Sequence, residues 1–323
     1  MKILIIEQIT NSDFYPKFYF EQKNQEVFLC NIIKFYTAKK YLFLKKFKTN
    51  IWEDFVSNYI YKNALELKPN IIFFYNLDYI NKYTLLNLKS KLPNTKFICW
   101  HGDDLLNPRF NIESQLLKIP LIDVHFTPRS HLISDYKTNK AKEVISVNWY
   151  PKDVRKSPLD KLFDLNFFGS IDKKREKYLS NLRFTNFIIG GYGWNHKNIN
   201  ADKIYNHVPL NIMNEIIASS KISLNFLTES NRDRTNFRNF EIPSQFSLQI
   251  CERSEEICEI FKENIGVVCF ESEEELKEKI SFYLRNDSIS NKIIATSHKI
   301  ISDYKYSQDF QLNIVQNRIN LFD

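Results

Sequence analysis

The feature that most limits what this chain can fold into is an alternation of strand-sized apolar runs and helix-patterned segments, run through twice. In the first half, residues 2–7, 26–32, 70–76, 95–100, 124–127 and 143–148 read as strands. Between them, 51–67 has helical spacing, with Trp52, Phe55, Tyr59 and Leu65 among its apolar positions, and 79–92 reads as a helix stopped by Pro93. Pro151 and Pro158, among mixed charges, break the pattern between Tyr150 and Asp164. The cycle then restarts with strands at 165–168, 187–189, 222–227, 247–251 and 267–270 and helices near 172, 210–219, 237–242 and 254–263. Ser272 and Glu275 form a capping-box pattern that opens the helical segments of 273–321. Alternation of this kind implies βα units and parallel sheets.

The expected fold is therefore α/β, with two Rossmann-like doubly wound domains facing each other across a cleft. The first spans 1–150, a linker 151–164, and the second 165–305. A terminal helix in 306–323 is expected to pack back on the first domain. Ligands of such domains bind at the carboxyl ends of the strands.

Glycine sharpens that expectation. Only six of 323 residues are Gly, against an average near 7%, so each survivor should mark a backbone need. Gly102, Gly169, Gly190, Gly191 and Gly193 all stand at or just beyond the end of a predicted strand, where a ligand or tight turn requires close backbone approach.

Bulk properties exclude several classes. An apolar share of 43% and a charged share of 26% are globular values, and no apolar run approaches the roughly 18 residues of a membrane span. The opening Met1–Glu7 run reads as a strand rather than a secretion signal. Cys30, Cys99, Cys251, Cys258 and Cys269 are odd in number and contain no CxxC pair. They read as free buried thiols rather than disulfides or a zinc site, which fits a cytoplasmic protein. The net charge of +7 suits an anionic partner without choosing one.

Four stretches carry candidate chemistry. Phe167-Phe168-Gly169-Ser170 precedes Lys173, Lys174 and Arg175; a strand, a glycine turn and a helix start are the parts of a phosphate site. Neither GxGxxG nor GxxxxGK[ST] is present. The loop Thr228–Ser244 holds Arg232, Asp233, Arg234, Arg238 and Glu241; its arginines suit a diphosphate, and a carboxylate suits two vicinal ribose hydroxyls. His101-Gly102-Asp103-Asp104 follows a strand and offers Asp103, Asp104 or His101 as a general base. Finally, 34–48 interleaves six lysines with aromatic and aliphatic residues. It reads either as an amphipathic helix with solvated lysines or as a surface for peripheral contact with anionic membrane.

Taken in order, several of these pieces resemble a known family. Phe168-Gly169-Ser170 with Arg175 is followed by Gly190, Tyr192-Gly193-Trp194 and Ser220–Phe226, then by Arg238–Pro243, Phe270–Ser272 and Tyr283-Leu284. Together they resemble the spore-maturation-protein-like glycosyltransferases, which have the two-Rossmann-domain (GT-B) fold. The resemblance covers about 45% of the chain; the N-terminal half is matched only by its domain type.

It implies a metal-independent transfer of a sugar from a nucleotide sugar to a glycan or lipid-linked acceptor, in bacterial surface polysaccharide synthesis at the inner face of the membrane. The nucleoside-diphosphate sugar would be substrate, with no cofactor, no metal and no nucleic acid partner. Gly169 and Ser170 would face the donor diphosphate, together with Gly191, Tyr192 and Gly193, and Arg175 would neutralise it. Glu241 would hold the ribose, Asp233 would take the first position of a Glu-x7-Glu motif, and Lys221, Arg234 and Arg238 would lie near the phosphates or brace the loop. Two departures, Phe246 where the family has glycine and Glu7–Thr10 where it has a glycine-rich turn, favour the alternative of a non-catalytic sugar-nucleotide-binding or glycan-assembly protein.

Overall fold

A computed structural model describes residues 1–7, 20–21, 23, 25–108, 112–197 and 199–322. The chain divides into two compact units: Met1–Asn148 with Ser230–Arg232 and Asp309–Asp323, and Trp149–Glu229 with Asp233–Gln308.

The first unit is built on strands β1 (Lys2–Glu7), β2 (Glu26–Asn31), β3 (Ile71–Tyr75), β4 (Lys96–Trp100), β5 (Val124–Thr127) and β6 (Val144–Ser146). All pair in parallel, in the order β2-β1-β3-β4-β5-β6. The connecting helices are α1 (Lys34–Thr37), α2 (Lys39–Phe47), α3 (Thr49–Leu67), α4 (Lys82–Lys91), α5 (Glu113–Leu116) and α6 (Ile133–Thr138). The central strand β3 is Ile-Ile-Phe-Phe-Tyr and buried throughout, as a parallel strand covered on both faces must be. Helix α4 starts later than its apolar pattern suggests, because the Asn81 side chain accepts from Thr84 N at 2.8 Å and fixes the cap there. The terminal helix Gln308–Asn320 is held in this unit by Arg318, paired with Glu143 at 2.6 Å, and by Gln311, which accepts from Asn148 N at 2.8 Å.

The second unit repeats the architecture with β7 (Phe163–Phe168), β8 (Phe187–Gly190), β9 (Lys203–Tyr205), β10 (Ser220–Asn225), β11 (Leu248–Glu252) and β12 (Val268–Phe270). The parallel order is β12-β11-β10-β7-β8-β9. Its helices are α7 (Lys173–Ser180), α8 (Leu210–Ala218), α9 (Arg238–Ser244), α10 (Glu255–Phe261), α11 (Glu273–Arg285) and α12 (Asp287–Ile301). The edge strand β9 escapes a reading of the sequence, since its three residues have no apolar run to mark them. In each sheet the direction of winding reverses once, between β1 and β3 and between β7 and β10. Doubly wound sheets open a crevice at the carboxyl ends of such a pair.

The glycines of the second unit hold two strand ends together. A Cβ on Gly191, whose φ is +144°, would lie 2.1 Å from the Gly169 carbonyl oxygen. Gly169 N donates to Gly190 O at 2.8 Å, Ile171 N to Tyr192 O at 3.0 Å, and the Trp194 indole to Gly169 O at 2.7 Å.

Polar groups in the first unit are locked with equal economy. His125 Nε2 faces the Ile119 carbonyl at 3.0 Å, so it must donate, and its Nδ1 accepts from His101 Nε2 at 2.8 Å. His101 Nδ1 then accepts from the Cys99 thiol at 3.8 Å. The two rings stack beside Tyr136. Burial pushes both histidines down, His101 well below its usual value with the His125 and Arg129 charges adding to the effect, and His125 to about 4 against a small upward pull from Ile119 O and Asp123. Both are neutral in the folded chain.

Two outcomes follow from this packing. Gly191→Ala should lower stability by roughly 2 kcal/mol or more in urea unfolding. Gly102→Ala, whose added Cβ meets nothing within 4 Å, should change it by less than about 0.5 kcal/mol; equal effects would refute the backbone contact. The unfolded chain protonates its histidines near pH ~6.5, while folded His125 resists to about 4. Stability should therefore be full above pH ~6.5 and decline as the pH falls toward 4. Urea midpoints that stay flat across this interval would contradict the buried neutral pair.

Candidate functional site

In the second unit the winding reverses between β7 and β10, and the residues beyond their ends are tied by one arginine. Arg175, in the first turn of α7, donates from Nη1 to Ser170 O at 2.8 Å and from Nη2 to Phe226 O at 3.3 Å and Thr228 Oγ1 at 3.0 Å. Its Nε lies 3.3 Å from Asp172, and the guanidinium sits above the Phe167 ring. Arg175 thus spans the crevice as a brace. Burial pulls its guanidinium below the usual value, against the opposing pull of Asp172, Asp233 and Glu252.

Nearby lies Arg238, at the start of α9. It donates to Phe168 O at 3.3 Å, faces Met213 Sδ, and pairs with Glu241 one turn along the helix. Burial, reinforced by the nearby Arg175 charge, pulls the Arg238 guanidinium down to about 10. Two guanidiniums that disfavour each other form a place where an anion is stabilising. Glu241 is 1% exposed, and its Oε1 has no hydrogen-bond donor. A buried carboxylate oxygen in that state is costly unless a ligand supplies the donor.

The amide supply is narrower than a glycine turn suggests. The N–H groups of Gly169, Ile171 and Gly191 are all taken by backbone carbonyls. The α7 N-terminus carries its own anion, since Asp172 Oδ1 accepts from Arg175 N at 2.8 Å. Among the described residues none accepts from the N–H of the exposed Ser170, which shares the turn region with the exposed ring of Tyr192 and the left-handed Gly193 (φ +94°). Asp233 closes its own loop: Asp233 N donates to Thr228 O at 3.1 Å, and Oδ2 accepts from Thr228 N at 3.3 Å. The Arg234 side chain is exposed while its carbonyl is held by Ser254.

Two expectations for this unit are corrected. Lys221 is the second residue of β10 and pairs with Asp164 at 3.1 Å. That is the amino end of the sheet, opposite the crevice, so it does not lie near the phosphates. Phe246 likewise stands before β11, at φ +57°, with its ring stacked 3.6 Å from that of His298 on α12. It takes over the backbone conformation of a glycine and leaves the crevice untouched. The other departure, at 7–10, lies almost wholly outside the described residues.

In the first unit, the His101–Asp104 stretch resolves into three different roles. His101 has both ring nitrogens committed and is 2% exposed, so it is no base. Asp104, equally buried, is gripped by Arg232, with Nε 2.5 Å from Oδ2 and Nη2 3.1 Å from Oδ1, and also accepts from Leu106 N at 3.0 Å. Arg232 reaches Asp135 at 2.8 Å as well. These corrections share one reason: the fold consumes the lone pairs. Asp103 is exposed and is oriented by two amides, from Asn76 to Oδ2 at 3.1 Å and from Asn231 to Oδ1 at 3.2 Å. It stands beyond the ends of β3 and β4, next to the winding reversal of this sheet. Asn76 (φ +55°) is a site residue that the sequence marks only as the end of a strand.

The 34–48 stretch forms α1 and α2, and α2 has no buried residue. Leu42, Phe43 and Phe47 are exposed, as are Ile51 and Phe55 on α3. Lys34 lies 3.7 Å above Tyr59, and Lys45 lies over Tyr36 and Trp52. Phe35, Tyr36, Tyr41 and Leu44 pack on the core while Leu42, Phe43 and Phe47 stay at the surface, so the stretch has features of both readings. Among the described residues no helix is long and apolar enough to cross a membrane.

Comparison with known proteins bears on the fold and the enzyme class. Residues 167–312 match a family model described as glycosyl transferase-like. A comparison with curated proteins gives no match. Among solved structures, a glycosyltransferase from Rickettsia africae is 12% identical, with 99% of this chain and 98% of that one covered and a TM-score of 0.66. Anabaena HepE, in complex with UDP and glucose, is 10% identical over 99% and 100%, with a TM-score of 0.68. S. aureus MnaA, in a co-structure with UDP, is 14% identical over 99% and 96%, with a TM-score of 0.62. At these identities the likeness is one of fold: α/β with two doubly wound parallel sheets, of the GT-B type expected. Over the stretch from Phe167 to Leu312 the chain is similar to glycosyl transferase-like domains, and the enzyme class expected from the sequence rests on that likeness.

Proposed function

We propose that the chain transfers a sugar from a nucleoside-diphosphate sugar, with UDP as the first nucleotide to test, to a glycan or lipid-linked acceptor in surface polysaccharide synthesis. The observation that carries this reading is Glu241, a buried carboxylate with an oxygen lacking a donor, paired with Arg238, which in turn feels the charge of Arg175. A ribose offers the vicinal hydroxyls that such an oxygen lacks. The diphosphate would meet the Ser170 N–H and the charges of Arg175 and Arg238, which stabilise the leaving group as its charge develops. That cationic surrounding is the ground for expecting transfer without a divalent ion. The complexes of HepE with UDP and glucose and of MnaA with UDP motivate the choice of nucleotide, and the spore-maturation-like family remains the finer assignment offered here. Asp103 is assigned the general base, because its carboxylate is oriented and still accessible. Phe246, which favoured a non-catalytic reading, is remote from the crevice.

The exposed apolar and lysine-bearing face of α2 and α3 supports peripheral contact with an anionic bilayer at the cytoplasmic leaflet, where a lipid-linked acceptor resides.

Calorimetry with UDP in EDTA should show saturable binding that Glu241→Ala weakens at least tenfold. Asp103→Asn should bind UDP normally while donor turnover falls by about 10²–10⁴-fold. No binding of any nucleoside diphosphate would end the donor reading, and an active Asp103→Asn would remove the base assignment. Sedimentation with vesicles containing phosphatidylserine should retain the protein at low salt and lose it in Phe43→Ser/Phe47→Ser. Equal retention on neutral vesicles at high salt would speak against charge-assisted docking.

A further inference from the structure

Apart from the crevice, the second unit gathers most of the chain's sulfur. Cys251 and Cys269 stand opposite each other in the parallel β11–β12 pair, so their side chains share a face. Cys258 projects from α10, which connects those strands. The chain then turns sharply through Lys262 and Asn264, both at φ +60°, and past Gly266, where a Cβ would lie 2.4 Å from Phe261 O. That turn brings Glu263 back onto the thiols. The Cys258 and Cys269 sulfurs and a Glu263 oxygen all lie within 4.8 Å of one another, and Cys258 Sγ is 3.9 Å from Glu263 Oε2. The Cys269 side chain thus stands beside those of both Cys251 and Cys258.

We infer that Cys258, Cys269 and Glu263, with Cys251 as the fourth ligand, form a site for a soft divalent cation of the zinc type. Zinc bonds thiolate at about 2.3 Å in tetrahedral geometry, which sets sulfur–sulfur edges near 3.8 Å, so Cys258, Cys269 and Glu263 need only small closing movements, while Cys251, outside their 4.8 Å group, must move further to complete the shell. The carboxylate is held as a metal-binding carboxylate needs to be: Arg253 donates from Nε to Oε2 at 2.9 Å and from Nη2 to Oε1 at 2.7 Å. Lys279 stands 3.5 Å from Oε1 and donates to the Cys269 carbonyl at 2.5 Å. The dication, Arg253 and Lys279 together offset the thiolates and Glu263; the outer carboxylates Glu271 and Glu275 share Arg253. Cys258 is half-buried and gives an entry path, while the other two sulfurs are buried. On binding, the thiols release their protons to solvent. The spacing Cys-x6-Cys-x4-Glu-x5-Cys has no paired motif, which is why the sequence reads as free thiols. The bound ion would fasten α10 to the sheet. Ser254, the cap of α10, holds the Arg234 carbonyl, so the loop bearing Arg234 would be braced too. Nothing in this inference depends on the glycosyl-transfer reading.

The test is cobalt titration of the full-length, fully reduced protein after removal of metal with a chelator. One equivalent should give thiolate-to-cobalt charge-transfer absorption, displaced by zinc, and zinc should raise the Tm. Cys258→Ser, at a half-exposed position that the metal-free fold tolerates, and Cys269→Ser should each abolish the band or weaken cobalt at least tenfold. Arg253→Gln should weaken it by about 10–100-fold. A protein with all five thiols free that shows no charge transfer at one equivalent would overturn the site. So would a band that survives both cysteine variants in folded protein.

Discussion

The contact on which the second unit depends is between two stretches of backbone. Gly191 lies against the Gly169 carbonyl so closely that no side chain fits between them. Through that approach Gly169 N reaches Gly190 O, Ile171 N reaches Tyr192 O, and the Trp194 indole closes on Gly169 O. The two turns become one rigid rim. Arg175 then extends the rim across the winding reversal to Phe226 and Thr228. Ser170 is the residue left facing outward once these bonds are made. A chain with six glycines has placed three of them, Gly190, Gly191 and Gly193, within four positions of this rim because the geometry admits nothing larger.

Both units distinguish groups that build the site from groups that remain free to act. In the first, His101, His125 and Asp104 are chemically apt for catalysis, yet each is saturated by a protein partner. In the second, Asp233 is held by the loop it closes, and Arg175 is spent in part on the loops it joins. Burial makes this arithmetic strict, since every unpaired polar atom costs about 1–3 kcal/mol. Against that background the exceptions have weight. Glu241 Oε1 lacks a donor although it is buried, and Asp103 is oriented by two amides although it is exposed.

The sequence made the sheet architecture legible because a parallel strand buried on both faces is nearly all apolar, as β3 is, and because glycines mark strand ends. The same glycines pointed to the rim. It could not reveal which candidates were spent internally, since that depends on partners far away in the chain: Asp104 meets Arg232, and His101 meets His125. Lys221 was misplaced for a simpler reason. A strand reading that begins at residue 222 puts position 221 in a loop, whereas β10 begins at Ser220, on the far side of the sheet from the crevice. Phe246 illustrates the converse case, in which a substitution at a glycine position weighs toward a non-catalytic reading from sequence alone, although in the fold it stands before β11 in a left-handed conformation.

The sulfur cluster shows why spacing motifs and geometry part company. Paired-cysteine motifs work because a short loop forces two thiols together. Here the thiols converge because parallel strands in register align Cys251 with Cys269, and a crossover helix lays Cys258 over them. The closeness is set by sheet register and by the tight return at 262–266, neither of which leaves a fixed interval in the sequence. A bound cation at this position would be coupled to the crevice through Glu252, the neighbour of Cys251. Its Oε2 accepts from Lys174 at 2.9 Å and from the Leu227 amide. The strand that carries one ligand thus also positions the loop beyond β10, and a change in the order of one is transmitted to the other along covalent bonds.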